Sequence, residues 1–395
     1  MLHRFGISAT LTMSLAAAAA SSVPMAAPAD GSLEVSVSQG YDSNPLELNP
    51  QALIEPFHAS GGSYTRLDLD ARLSHAWNPR IGYFLSARGQ DRLFPSRIEE
   101  AESVTGKVEA GLGFVLFARG DRKLSAAVSA SYGTDRNTFV DPATGKMYVT
   151  LSDPNTLAPI PDRFDANISE LSLDLRFRTS RNLLFTLDSS FEQQDYIEDY
   201  ENVPTLQSLD DRSLTVRPGL RWQMSDRIRL DVTAEWNDRR YDGLSALEED
   251  STLAVGTRRR YRTQGLRAVM RVTPADGLTF QVGVGGADRS DLHAGYYDSI
   301  GVNGFVAAAW SVTPNVRLAM NVTEVMVDYD RATLDFIPNG ERRGGELLRA
   351  AASVERDLGD HVTLFGEAGA ARSANVDPLY EYDRNWAHAG VRYKL

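Results

Sequence analysis

From Ser32 onward apolar and polar residues alternate one by one, over segments of about ten to sixteen residues, the period of a β-strand with two unlike faces. Between Tyr64 and Trp77, one face carries Leu67, Leu69, Ala71, Leu73 and Trp77, and the other carries Arg66, Asp68, Asp70, Arg72 and Ser74. Val108, Ala110, Leu112, Phe114 and Leu116 oppose Lys107 and Glu109. Leu171, Leu173, Leu175 and Phe177 oppose Glu170, Ser172, Asp174 and Arg176. Ile228, Leu230, Val232, Ala234 and Trp236 oppose Arg229, Asp231, Thr233, Glu235 and Asn237. A helix, with its period of 3.6, could gather none of these sets onto one face.

The connections alternate between short and long. Short turns are predicted at Asn78-Pro79-Arg80, Arg119-Gly120-Asp121, Ser180-Arg181-Asn182, Ser225-Asp226-Arg227, Pro274-Ala275-Asp276-Gly277, Thr313-Pro314-Asn315 and Leu358-Gly359-Asp360. Each holds residues that set or tolerate turn dihedrals. Longer polar stretches fall near 42–62, 140–162, 198–208, 242–257, 289–296, 331–343 and 374–383, with a shorter one near 95–102. This pattern predicts an all-β fold: a transmembrane, antiparallel, up-and-down barrel of about sixteen strands, in the range of about fourteen to eighteen. Short turns would face the periplasm, long loops the exterior, and both chain ends would lie on the short-turn side. Aromatics near strand ends point to two interfacial belts. Trp77, Phe114, Phe177, Phe185, Trp222 and Trp310 lie toward the short turns; Tyr41, Tyr64, Phe94, Tyr132, Phe164, Tyr241, Tyr261, Tyr329 and Trp386 lie toward the long loops.

Residues 1–29 read as an export signal: His3 and Arg4, an apolar run from Ile7 to Ala20, and Ala27-Pro28-Ala29 as a small-x-small cleavage site, with an earlier cut after Ala20 as the alternative. Residues 30–395 form the barrel, and the expected location is the cell outer membrane. The 395 residues carry a formal net charge of −12 and no cysteine. Disulfides, thiolate metal sites and a lipidated N-terminal cysteine are thereby removed. The acidic balance argues against nucleic acid as a partner.

Lipid-facing charge is costly, about 2–4 kcal/mol for Arg or Lys at mid-bilayer, so the polar register should line the lumen. Arg217, Arg221, Arg229, Arg267 and Arg271 fall on consecutive predicted strands and form a basic wall. Asp68, Asp70, Glu109, Glu170, Asp174, Asp231 and Glu235 are the acidic counterparts. These charges either steer anionic solutes or neutralise one another in Arg–carboxylate pairs. Arg239, Arg240, Arg258, Arg259, Arg260 and Arg262 form a basic cluster at the outer rim on one hairpin. Arginine forks suit phosphate, which makes lipopolysaccharide a natural partner, with steering of anionic substrate as the rival reading. The acidic loop residues Glu192, Asp195, Glu198, Asp199 and Glu201 and the run Glu248-Glu249-Asp250 either hold divalent cations that bridge lipid A phosphates or, as is commoner for such runs, are simply solvated. No histidine shows metal-ligand spacing, and no G-x-S-x-G accompanies His58 or His293, so neither cofactor, metal nor enzyme is expected.

The C-terminal Gly390-Val391-Arg392-Tyr393-Lys394-Leu395 resembles the terminal β-signal of bacterial outer-membrane proteins, with Leu395 where phenylalanine is usual. The resemblance implies recognition of Val391, Tyr393 and Leu395 by the barrel assembly machinery. Gly40-Tyr41-Asp42-Ser43-Asn44-Pro45 resembles the first-strand-to-loop motif of β-barrel porins and of the barrel domain of surface lipoprotein assembly modifiers. The tetratricopeptide region of those modifiers has no counterpart ahead of the strand pattern. Read from the residues alone, Asp42-Ser43-Asn44 is an Asx turn closing the strand. The functional expectation is a porin-like channel for small hydrophilic solutes, with anions as one candidate class. The alternatives are an export or assembly barrel for polysaccharide or surface lipoproteins, and an outer-membrane hydrolase.

Overall fold

The computed structural model describes residues 30–45, 47, 61–94, 101–137, 140–141, 146–149, 159–160, 165–196, 207–333, 340–376 and 381–395. Residues 1–29, which the sequence reads as an export signal, lie outside them, as do His58 and most of the connections near 42–62 and 140–162. The first five strands are β1 (Asp30–Asp42), β2 (Gly62–Asn78), β3 (Ile81–Leu93), β4 (Ser103–Arg119) and β5 (Arg122–Asn137). One connection then holds three short strands, β6 (Val140–Asp141), β7 (Lys146–Val149) and β8 (Pro159–Ile160), which pair only with each other. The barrel resumes with β9 (Ala166–Ser180), β10 (Leu183–Tyr196), β11 (Asp211–Ser225), β12 (Ile228–Leu247), β13 (Leu253–Ala275) and β14 (Leu278–Asp291). It ends with β15 (Ser299–Thr313), β16 (Val316–Thr333), β17 (Arg342–Asp357), β18 (Val362–Asn375) and β19 (Tyr382–Lys394).

Leaving aside β6 to β8, sixteen strands form one closed antiparallel ring, each paired with its neighbours in sequence. β1 closes it against β19, in a register running from Glu34 opposite Lys394 to Asp42 opposite Trp386. Closure leaves no free strand edge, which is what a sheet in hydrocarbon requires. Barrel strands run from 13 residues in β1 to 23 in β13, beyond the ~9–11 that span a bilayer when tilted. β12 and β13 therefore project past the membrane as a ribbon on the long-loop side. The short turns fall where the sequence places them; Gly120, at φ 57° between β4 and β5, takes a left-handed conformation that glycine tolerates.

The apolar register faces outward and is uncovered. Val35, Val37, Leu67, Leu69, Val108, Leu112, Leu171, Val282, Val284 and Met320 are all exposed. In water such a continuous band would drive association; in a bilayer it is the solvent-matched surface, and it makes this a transmembrane barrel. Trp77, Phe177, Phe185, Trp222 and Trp310 are exposed beside the short turns and form the girdle on that side.

The second belt requires correction. Of the aromatics toward the long loops, Tyr41 and Tyr132 are exposed on the outer face, whereas Tyr64, Phe94, Tyr241, Tyr261, Tyr329 and Trp386 are buried inside the mouth. Phe164 lies outside the described residues. Closeness to a strand end does not choose a face; parity does, and Tyr64 and Tyr241 share the parity of Arg66 and Arg239. Trp236 and the exposed Phe191 supply outward aromatics instead.

Candidate functional site: the charged lumen

Registered strands bring the polar faces together on the inner wall, and the charges there divide into two unlike sectors. On β2, residues two apart on one face pair along the strand: Arg66 Nε donates to Asp68 at 2.9 Å and Arg72 Nε to Asp70 at 2.9 Å. Arg88 on β3 adds a bond to Asp70 at 3.2 Å. Lys107 on β4 reaches across β5 to Glu170 on β9 at 2.6 Å, and Arg176 forks onto Asp174. Glu109 accepts from Ser86 at 3.4 Å. These pairs are partly exposed to lumen water, so each is worth only ~0–1 kcal/mol; their effect is to cancel charge.

The arginines of β11 and β12 are also paired, but with fewer partners. Arg217 donates to Glu235 at 2.6 Å, while Arg221 and Arg229 share Asp231 at 2.6 and 2.8 Å. On β13, Arg267 and Arg271 face the same lumen, opposite Thr233 and Arg229 in register, with no carboxylate within ion-pair distance among the described residues. The Nε of each is buried without a hydrogen-bond partner. Arg267 instead lies over the Phe305 ring, 5.2 Å from its centroid. None of the 23 residues of β13 is acidic, and β15 carries no charge at all. At the short-turn end, Lys123, Arg176, Arg178, Arg221 and Arg229 line a recess of about 330 Å³. The basic wall read from the sequence is thus brought together; its surplus charge lies on β13.

Where β1 meets β19, the Gly40–Pro45 motif acts as a clamp. Asp42 is fully buried; Arg384 donates to both its carboxylate oxygens and Arg92 to one at 2.6 Å. Glu47 also accepts from Arg384. The amide of Asn44 donates to Asp42 Oδ1 at 3.1 Å, the Asx-turn bond, and Asn385 N donates to Ser43 Oγ at 2.7 Å. Gly40 is a notch for the Tyr64 ring: a Cβ there would sit 2.6 Å from Tyr64 Cζ. Arg92 stacks on that same ring, 4.1 Å from its centroid. The motif locks the first strand to the last.

At the mouth, the connection 292–298 folds Tyr296 and Tyr297 onto Tyr261, Tyr241 and Tyr329, forming a buried cluster. Burial raises the Tyr297 hydroxyl above its ordinary range and keeps it neutral. His293 faces Glu248 at 3.0 Å, and Arg331 pairs with Glu249, tying neighbouring connections together. Here strand alternation divides the six arginines read as one rim cluster. Arg239 and Arg259 point inward: Arg239 bonds the buried Asp211 at 2.5 Å, and Arg259 stacks on Tyr297 at 4.6 Å. Arg240, Arg258, Arg260 and Arg262 have the opposite parity and point outward. A six-residue cluster spread over adjacent positions cannot lie on one side of a pleated strand.

No family model matches the chain, and no curated protein matches it. Among solved structures, it is similar to OmpT, an outer-membrane protein of Vibrio cholerae, at 11% identity over 94% of this chain and 100% of that one, TM-score 0.46. It is also similar to OccAB1 of Acinetobacter baumannii, at 8% identity over 95% and 98%, TM-score 0.46. A third is OccK2 of Pseudomonas aeruginosa, at 12% identity over 93% and 97%, TM-score 0.44. What the lumen does is read from its own side chains.

Proposed function

We infer that the protein is a porin-like outer-membrane channel for small hydrophilic solutes, with a preference for anions. A ring of sixteen strands is wide enough for an aqueous passage. The observation that carries the preference is β13: Arg267 and Arg271 face the lumen from a strand without an acidic residue. Fixed uncompensated charge on a low-dielectric wall raises the local concentration of counter-ions, here anions. Two partners accompany this reading: the barrel assembly machinery, docking on Val391, Tyr393 and Leu395 of β19, and the lipopolysaccharide of the outer leaflet.

Planar-bilayer recording of the refolded protein under a salt gradient tests it. The expected result is stepwise conductance with a reversal potential on the anion side. The double substitution Arg267→Gln/Arg271→Gln should reduce the anion-to-cation permeability ratio by roughly threefold or more, on the order of 1 kcal/mol in the barrier difference. Absence of conductance, or a ratio unmoved by the substitutions, overturns the reading.

A further inference from the structure

Three of the four outward rim arginines form a site of their own. Asp238 on β12 is opposite Leu214 on β11, which is exposed on the lipid face, and opposite Arg262 on β13. Arg240 is opposite Arg260 in the next outward row. Three guanidiniums converge on the single Asp238 carboxylate, Arg260 at 2.5 Å, Arg240 at 3.2 Å and Arg262 at 3.9 Å. One negative charge cannot neutralise three positive ones. The Arg240 side chain is 62% exposed, and the buried Nε of Arg262 has no hydrogen-bond partner among the described residues.

Depth fixes what this charge meets. Trp236 lies on the same face two residues before Asp238, about 7 Å along the strand. An outward tryptophan marks the hydrocarbon–headgroup boundary. The arginines therefore stand at the height of lipid headgroups, above an apolar surface that contacts acyl chains. Leaflet-facing guanidiniums at that height suit phosphate, which each can grip through two parallel N–H bonds.

We propose that Arg240, Arg260 and Arg262 bind a phosphate of a phosphorylated outer-leaflet glycolipid, of the lipid A type. Asp238 holds the empty guanidiniums in place and competes with the phosphate for them. The proposal rests on the outer-membrane reading but not on conductance or selectivity.

Binding of bisphosphorylated lipid A and of fully dephosphorylated lipid A to the detergent-folded protein tests it, with inorganic phosphate as a separate ligand. The phosphorylated lipid should bind about tenfold or more tighter than the dephosphorylated one. Arg240→Gln/Arg260→Gln/Arg262→Gln should abolish that difference, while the inward Arg267→Gln keeps it. Asp238→Asn, which leaves every arginine in place, should tighten binding several-fold. Equal binding of the two lipids, retention of the difference by the triple variant, or inorganic phosphate binding as tightly as the lipid each overturns the proposal. Channel recording of the wild type separates the two readings: a protein that never conducts yet still prefers the phosphorylated lipid removes the channel and leaves the lipid site standing.

Discussion

The wall built by β2 and β3 and the wall built by β13 and β14 stand eight strands apart in a ring of sixteen, on opposite sides of the lumen. Both are rich in arginine. On β2 and β3, Arg66, Arg72 and Arg88 are matched by Asp68 and Asp70, and Arg92 by the buried Asp42. On β13, Arg267 and Arg271 have no such match among the described residues. The same residue type therefore does two jobs. Where carboxylates sit two positions away or one strand across, arginine is part of the scaffold; where they do not, it leaves a field in the lumen. On the proposed channel reading, selectivity follows from the arginines left over and not from their number.

The largest expected effect lies on the matched side. Asp42→Ala removes the fully buried anion shared by the largely enclosed Arg92 and Arg384, and breaking such a pair costs up to about 3–5 kcal/mol. The midpoint of urea unfolding, followed by the gel mobility of the folded barrel, should fall accordingly. Arg271→Gln in the same assay should change stability by less than about 1 kcal/mol. If the two variants are equally destabilised, the division into scaffold and field is wrong. A smaller effect is expected from Asp70→Asn, which unties Arg72 and Arg88 at once. It should shift the reversal potential further toward anions while costing only ~1 kcal/mol of stability, because the pairs are partly exposed. A shift toward cations would show that the matched wall is not silent. The smallest effect is assigned to Phe305→Leu. This removes the ring beneath Arg267 and is worth about 0.5–1 kcal/mol of cation–π attraction. The charge count is unchanged, so permeability ratios should hold; a changed ratio would mean that the orientation of Arg267 sets selectivity.

Much of this was legible before any strand was placed. Alternation named the faces, and the pairs Arg66–Asp68, Arg72–Asp70 and Arg176–Asp174 could be anticipated, because residues two apart on a strand share a side. Parity could also have assigned Tyr64, Tyr241 and Tyr261 to the lumen and split Arg239 and Arg259 from Arg240, Arg258, Arg260 and Arg262. Grouping by nearness in sequence concealed both. The Asp42 clamp was half visible: Asp42-Ser43-Asn44 reads as a turn, but Arg384 lies 342 residues away.

Sequence alone determined the strand period, the lipid-facing band, the alternation of turn lengths and hence the closed barrel, because each is a local property set by steric period or turn chemistry. Only the tertiary structure decided which charges are cancelled. The partnership of Lys107 with Glu170 across an intervening strand depends on register and closure. So does the lack, among the described residues, of an acid within ion-pair distance of Arg267 and Arg271, and so does the meeting of three outward arginines at Asp238. Coulomb attraction is decided by distance in space, and distance in space is what strand pairing fixes.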